Sequence, residues 1–438
     1  MSDLRAGATD AALRPDEPRV ALRALFDEAV RAVSPATVMP AQIPVSPHGR
    51  TLVIAIGKAA GEMMRIARKR AGVPLEGLVV TRYGHLPKGD VDWSGVEIIE
   101  AGHPVPDVNS LRGARRALAL AHELEPGDEL LVLLSGGGSA LAAAPTNGVT
   151  LEDKQHMTQA LLRSGATIGE INCVRKHLSA IKGGRLAVAA GAARVTTWLI
   201  SDVPGDDPSF VSSGPTVADH TSLEIAREIV ARYGIAAPAD VARALSDSSN
   251  ETPSPDSLGL AGGETRIIAR ARDALAAAAK LARERGLVVT DLGDQLQAEA
   301  RHLGASHAAL ARRLGNDGHR RLIVSGGEAT VTVSNPAGRG GRNLEYLLGL
   351  VIALNGAPAI SALACDTDGI DGTENAAGAV VLPDTLERAR ALQLDPAAFL
   401  LRNQAYDFFE ALGDLIVTGP TLTNVNDFRA ILIEGTGS

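Results

Sequence analysis

The chain has 438 residues, a formal net charge of −8, 45% hydrophobic residues and only 3% aromatic residues. That length exceeds one ordinary core and sets the expectation of two domains. The acidic balance argues against nucleic acid and the scarcity of aromatics against a base-stacking platform, which leaves a small-molecule ligand.

The opening residues MSDLRAGATDAALRPDEP carry Asp3 and Asp10 and lack an apolar core, so no signal peptide is read. Residues 1 to about 17 and the GTGS end are expected to be loose. Cys173 and Cys365 are the only cysteines. They exclude a disulfide framework and a four-cysteine zinc site, and they fit a reducing cytoplasm.

Short apolar, β-branched runs then recur: TLVIAIGK (51–58), GLVVTRYG (77–84), ELLVLLSGGG (129–138), VTTWLISDVPGDD (195–207), RLIVSGGE (321–328) and AISALACDTDGIDG (359–372). Unbroken apolar runs predict strands buried on both faces. Alanine-rich helical stretches such as 110–125 and 271–286 alternate with them, which predicts an α/β fold with parallel sheets. The serine- and proline-rich SDSSNETPSPDSLG (246–259) reads as a linker or long surface loop near the domain junction. Leu347 to Cys365 is uncharged over a membrane-like length, but Asn355-Gly356-Ala357-Pro358 interrupts it, predicting a helix, a turn and a buried strand.

In open α/β sheets ligands bind beyond the carboxyl ends of the strands. Those ends carry Lys58, Gly136 to Ser139, Asp202 to Asp207, Gly326 to Glu328 and Asp366 to Asp371. The loop Gly136-Gly137-Gly138-Ser139 is not a nucleophile elbow, since Leu141 stands where the last glycine of G-x-S-x-G is required. It is not a Walker A loop either, and Leu141 spoils a dinucleotide fingerprint. A phosphate cradle at the start of a helix and a tight strand-to-helix turn both survive.

SGGEATV (325–331) ends a predicted strand and makes Gly326, Gly327 and Glu328 candidate nucleotide contacts; the similar AGGETRI (261–267) lacks such a strand and is read as a decoy. GRGGRN (338–343) offers Arg339 and Arg342 to phosphate or carboxylate oxygens. The basic residues Arg175, Lys176, Lys182 and Arg185 of NCVRKHLSAIKGGRLA (172–187) have a plain explanation as partners of a helix C-terminus, and His177 is read as structural. Asp202, Asp206 and Asp207 form one acidic group, and Asp366, Asp368 and Asp371 another. Neither fits an EF-hand, whereas magnesium asks for only one or two carboxylates beside substrate phosphates. Turn formation is the competing explanation for both groups.

Together with AGHPVPD (101–107) and TGPTLTNVNDFRAILI (418–433), the motifs IGKAAGEM, LLSGGGSAL, INCVRKHLSAIKGGRLA, SDVPGDDPSFVSSGPTV, GRGGRN and DTDGIDG resemble the glycerate 2-kinase family in content and order, from about residue 20 to 432. The resemblance implies a Rossmann-like N-terminal domain (18–255), a smaller MOFRL-type α/β domain (256–433) and an active site in the cleft between them. It implies transfer of a phosphoryl group from ATP, with Mg2+, to the 2-hydroxyl of D-glycerate. Lys58 and Arg342 match the family's proposed catalytic lysine and arginine, and Ala329 departs from an expected threonine. On this basis Gly136 to Ser139 are assigned to ATP phosphates, Asp202, Asp206 and Asp207 to the metal, and Asp202 to the general base. Some relatives carry the name hydroxypyruvate reductase, so an NAD(P)H-dependent reductase is the alternative function and a sugar-acid sensor a third. No nucleic-acid or membrane partner is expected; a homodimer stays possible.

Overall fold

The computed structural model of the protein describes residues 17–315 and 318–435. They form two compact units: one spans Val38–Ala269, and the other joins the residues up to Thr37 to those from Arg270 onward.

The first unit is built on six parallel strands, β1 Thr51–Ile56, β2 Glu76–Arg82, β3 Val96–Ala101, β4 Glu129–Leu134, β5 Arg194–Ile200 and β6 Glu264–Ala269. Their order is β3-β2-β1-β4-β5-β6, the Rossmann arrangement. Leu52, Ile54 and Ile56 of β1 and Leu130, Val132 and Leu134 of β4 fill its core, as unbroken apolar runs require. A second apolar cluster, including Met157, Leu161, Ile171, Val174, Leu223, Ile229, Val241 and Leu245, gathers four helices: Leu151–Arg163, Ile168–His177, Leu223–Arg232 and Ala239–Ser246. The first two start at the capping boxes Thr150–Asp153 and Thr167–Glu170, which satisfy amides that a helix start leaves unpaired.

The second unit carries β7 Val288–Asp291, β8 Arg321–Ser325, β9 Ile360–Asp366, β10 Gly378–Val381, β11 Leu415–Ile416 and β12 Asp427–Ile433, ordered β11-β10-β9-β12-β8-β7. Only β7 and β8 pair in parallel. The expectation of parallel sheets therefore fails here. An apolar run reports burial on both faces, and burial does not fix strand direction. The helices Ala300–Leu314 and Arg342–Leu354 pack closely, because a side chain at Gly304 would strike the carbonyl of Tyr346 and one at Gly349 that of Arg301. The helix Pro18–Ala32 lies against β12, with the Phe26 and Phe428 rings 5.9 Å apart.

The expected domain limits shift at both ends. The 261–267 segment, read as lacking a strand, contributes β6 to the first sheet, so the first unit runs to Ala269 instead of 255. Helix Pro18–Ala32 belongs with the C-terminal unit. The 246–259 stretch is anchored within the first unit: Asn250 Nδ2 donates to the Ala244 carbonyl at 2.9 Å, Arg185 Nη2 donates to the Asn250 carbonyl at 2.8 Å, and Glu251 contacts His177 at 3.0 Å. The predicted helix, turn and strand within 347–365 are all present, with Asn355 and Gly356 in left-handed conformations. Among the described residues no helix is long and apolar enough to cross a membrane. The ends expected to be loose lie outside the described residues, save Glu17 and Gly435.

Candidate active site

In the first unit the strand order reverses between β1 and β4, which is where a sheet of this kind opens its ligand crevice. The chain leaves β1 through Gly57 and Lys58, and leaves β4 through Ser135 to Ser139. The two turns are tied together: Lys58 N donates to the Gly136 carbonyl at 3.0 Å and Ala59 N to Ser135 Oγ at 2.9 Å. Lys58, Gly136, Gly137, Gly138 and Ser139 are thus gathered at one place, as the sequence implied.

The triple glycine has an internal cause. A side chain at Gly138 would overlap Ser212 Oγ, and Gly137 takes φ 82° close to His103 and Lys58. The helix that follows is a single turn, Gly138–Leu141. A macrodipole grows with aligned peptides, so this turn adds little attraction for an anion. Side chains must supply it.

The basic run 172–187 divides by contact. Lys176 is buried against Asp219 at 3.1 Å, and Arg185 donates to the carbonyls of Lys176 and Asn250 at 3.1 and 2.8 Å. His177 bridges the Cys173 carbonyl at 2.9 Å and Glu251 at 3.0 Å, a structural role. Arg175 and Lys182 instead converge on Ser139, with Nη2 2.7 Å and Nζ 2.8 Å from its Oγ. In the sequence a helix-end role accounts for both about as well as a ligand role does. Among the described residues neither pairs with a carboxylate, a signal that only the fold displays.

The aspartates after β5 do not assemble into a metal cluster. Among the described residues no three His, Cys, Asp or Glu groups are placed to hold an ion. Asp206 occupies a left-handed turn position, and exposed Asp207 accepts from Ser209 N at 2.8 Å in a local turn. Asp202, partly exposed just past the end of β5, keeps its place at the strand end.

In the second unit Arg342 opens the helix Arg342–Leu354. Its Nε donates to Asp427 Oδ1 at 2.7 Å, Nη1 to Glu328 Oε1 at 3.1 Å, and Nη2 to Asp366 Oδ2 at 2.9 Å and Asn426 Oδ1 at 3.1 Å. Burial works to lower its pKa, but Asp427, Asp366 and Glu328 outweigh that and raise it well above its ordinary value. Arg339 is spent on Asp407, Glu374 and Glu410 at 2.8, 3.0 and 3.3 Å and lies over the Tyr406 ring. It forms no anion fork with Arg342.

Gly326 and Gly327 also serve the fold. The Gly326 carbonyl accepts from Arg429 at 2.9 Å, and Gly327 (φ 109°) lies so close to Leu296 that a side chain would overlap its backbone. Buried Ala329, where threonine was expected, turns its amide toward Asp427 at 3.3 Å. In the other acidic group, Asp366 accepts from Asp368 N at 3.0 Å and Asp368 from Ile370 N at 2.8 Å. Asp371 caps the Arg342 helix, accepting from Asn343 N and Leu344 N at 3.1 and 2.9 Å, and burial pushes its carboxyl up to about 6.

Two family models match the chain: the domain of unknown function DUF4147 over residues 21–246 and the MOFRL family over 321–427. A D-glycerate 2-kinase of Thermotoga maritima is 38% identical over 415 residues, 93% of this chain and 97% of that protein. The chain belongs to the glycerate kinase family. An Agrobacterium vitis protein with the provisional name hydroxypyruvate reductase is 50% identical over 422 residues, covering 95% and 94% of the two chains. The crystal structure of a glycerate kinase from Thermotoga maritima superposes with TM-score 0.81 at 37% identity, covering 96% of this chain and all of that one. The glycerate kinase family thus includes close relatives under two different names, and the site has to separate them.

Proposed function

We propose that the protein is a glycerate 2-kinase, transferring the γ-phosphoryl group of ATP to the 2-hydroxyl of D-glycerate to give 2-phosphoglycerate and ADP. The observation that favours this over a nicotinamide-dependent reductase is the first βα turn. In a sheet of this order a dinucleotide lies over the turn after β1, which then reads G-x-G-x-x-G, with an acidic residue about 20 positions on for the ribose. Here the turn is Gly57-Lys58-Ala59-Ala60-Gly61-Glu62, so Ala59 and Glu62 replace two glycines, and β2 ends in Arg82. A lysine held against a glycine loop suits a phosphoryl group.

Phosphoryl transfer asks for positioning and charge neutralisation more than covalent chemistry. Lys58 is assigned to the transferring group and the backbone of Gly136 to Ser139 to nucleotide phosphates. Among the described residues four of the five Arg342 N–H groups have acceptors, which leaves one Nη1–H for substrate. Gly326, Gly327 and Glu328 act by shaping and charging the surroundings of Arg342. The 2-hydroxyl oxygen bonds to phosphorus as the β–γ bridge breaks, and Asp202 takes the hydroxyl proton. Magnesium requires only one or two carboxylates beside nucleotide phosphates, so one or more of Asp202, Asp206 and Asp207 would hold it with the nucleotide, and the ion would neutralise phosphate charge. Two buried, unpaired cysteines fit a place in the cytoplasm.

The test is a paired assay on one preparation: ADP release from ATP with D-glycerate, and NADH oxidation with hydroxypyruvate. Glycerate-dependent ADP release without NADH oxidation supports the kinase. The opposite pattern transfers the assignment to the reductase.

A further inference from the structure

We propose that Arg175, Lys182 and Ser139 form a phosphate seat, a site built for a phosphoryl group rather than for the fold. The inference rests on the kinase reading above and gives its glycine loop the charge that a one-turn helix lacks.

Arg175 lies in the last turn of the helix Ile168–His177, and Lys182 in the turn that follows. Arg175 Nη2 donates to Ser139 Oγ at 2.7 Å, while Lys182 Nζ donates to the same Oγ and to the Ser139 carbonyl, both at 2.8 Å. A hydroxyl accepts two hydrogen bonds, so Ser139 is saturated and must donate to Ser213 Oγ, 2.8 Å away. Behind them Lys154 Nζ donates to the Leu178 carbonyl at 2.9 Å. Lys182 is 1% exposed and Lys154 4%, whereas Ser139 and Arg175 are partly open to solvent. Among the described residues the Nε of Arg175 is buried with no acceptor.

Among the described residues none of these three cations pairs with a carboxylate. Other cations are treated otherwise: Lys176 has Asp219, and Arg342 of the second unit has Asp427, Asp366 and Glu328. Burying a cation without a counter-charge is unfavourable, and a fold alone has no reason to place Lys154 and Lys182 in this way beside Arg175. Burial, joined by repulsion from Arg175, drives both lysines well below their ordinary pKa. Perturbed, clustered and uncompensated cations at a topological switch point mark a ligand site. Arg175 keeps its charge and an arriving phosphate would favour protonation of the two lysines, so a phosphate dianion matches the cluster better than a single carboxylate. The phosphate belongs either to the nucleotide or to the phosphorylated product.

Thermal unfolding of the full chain with inorganic pyrophosphate, ADP, 2-phosphoglycerate or D-glycerate tests this without needing turnover. Wild-type protein is expected to gain Tm with a phosphate compound, and Arg175→Gln and Lys182→Met to lose that gain while their unliganded Tm stays equal or rises. Pyrophosphate and ADP acting alone identify the nucleotide as the source; 2-phosphoglycerate acting alone identifies the product. With the nucleotide as the source, Arg175→Gln is expected to raise the KM for ATP roughly ten- to a hundredfold, the loss of a charged hydrogen bond, with little change for D-glycerate. A shift with D-glycerate only, or with none of the four, overturns the seat. So does a Lys182→Met protein of lower Tm that still responds to phosphate, since the cluster would then be structural. A protein that binds phosphate here but does not phosphorylate glycerate keeps the seat and loses the kinase; a kinase whose ATP KM and whose Tm gain with 2-phosphoglycerate both ignore Arg175→Gln does the reverse.

Discussion

Asp427 Oδ1 accepts from Arg342 Nε at 2.7 Å and from Asn343 Nδ2 at 2.8 Å, while its Oδ2 accepts from buried Arg429. One carboxylate at the start of β12 therefore orients the arginine assigned to the reaction and compensates a second cation in the core.

Asp427→Asn is accordingly expected to destabilise the protein by about 3 kcal/mol, because Arg429 would be left buried with an uncompensated charge. Its kcat should fall as well, through lost orientation of Arg342. Urea unfolding and steady-state rates check both; unchanged stability would contradict the arrangement described. Arg342→Lys should behave as a severe change, since one ammonium cannot reach the separate partners that the fork holds.

Lys58→Ala should lose most turnover, roughly 10³-fold or more if the lysine acts on the transferring group. Its Tm should stay near wild type, because the tie between the two turns runs through the Lys58 backbone. A kcat close to wild type would remove Lys58 from the mechanism.

Gly138→Ala places a methyl group where Ser212 Oγ sits. We expect a loss of about 1–3 kcal/mol, typical of overpacking. Ser212→Ala in the same chain should restore part of it, although Ser212 Cβ would still stand 2.9 Å from the new methyl carbon. No recovery in the double variant would place the strain elsewhere.

His307, buried with Nδ1 2.9 Å from the Tyr346 hydroxyl, is lowered from 6.5 to about 4, by burial first and then by Arg429. A depressed folded value gives stability that is present above pH 6.5 and lost as pH falls toward 4, on the order of 3 kcal/mol. Asp371 works in the opposite sense, since its raised value keeps a proton in the folded state that the unfolded chain releases between about pH 4 and 6. Comparing His307→Gln with wild type cancels the Asp371 contribution. Wild type should lose more stability than the variant between pH 6.5 and 4 in urea titrations, and parallel curves would contradict the assignment.

The strands that are not legible in the sequence have three physical causes. The apolar-run criterion found β1, β2, β4, β5, β8 and β9, which lie inside their sheets. It passed over β3, β6, β7 and β11, the four edge strands, where one side is open and Glu97, Glu100, Glu264 and Arg266 are tolerated. β10 has only four residues. Central β12 escaped because Asp427 and Arg429, buried against each other, interrupt its apolar pattern.

The site was legible to the same degree. Lys58 and the glycine loop stand out because they end central strands at the crossover. Arg175 and Lys182 do not, because missing compensation is a property of neighbours in space. Arg339 offers itself to ligands in the sequence, but Asp407, Glu374 and Glu410 engage it in the fold.

The most direct measurement is phosphorus NMR of purified protein incubated with D-glycerate, ATP and magnesium. A 2-phosphoglycerate resonance growing as ADP appears is the expected result. ATP left intact, or phosphate on the 3-hydroxyl instead, would contradict it.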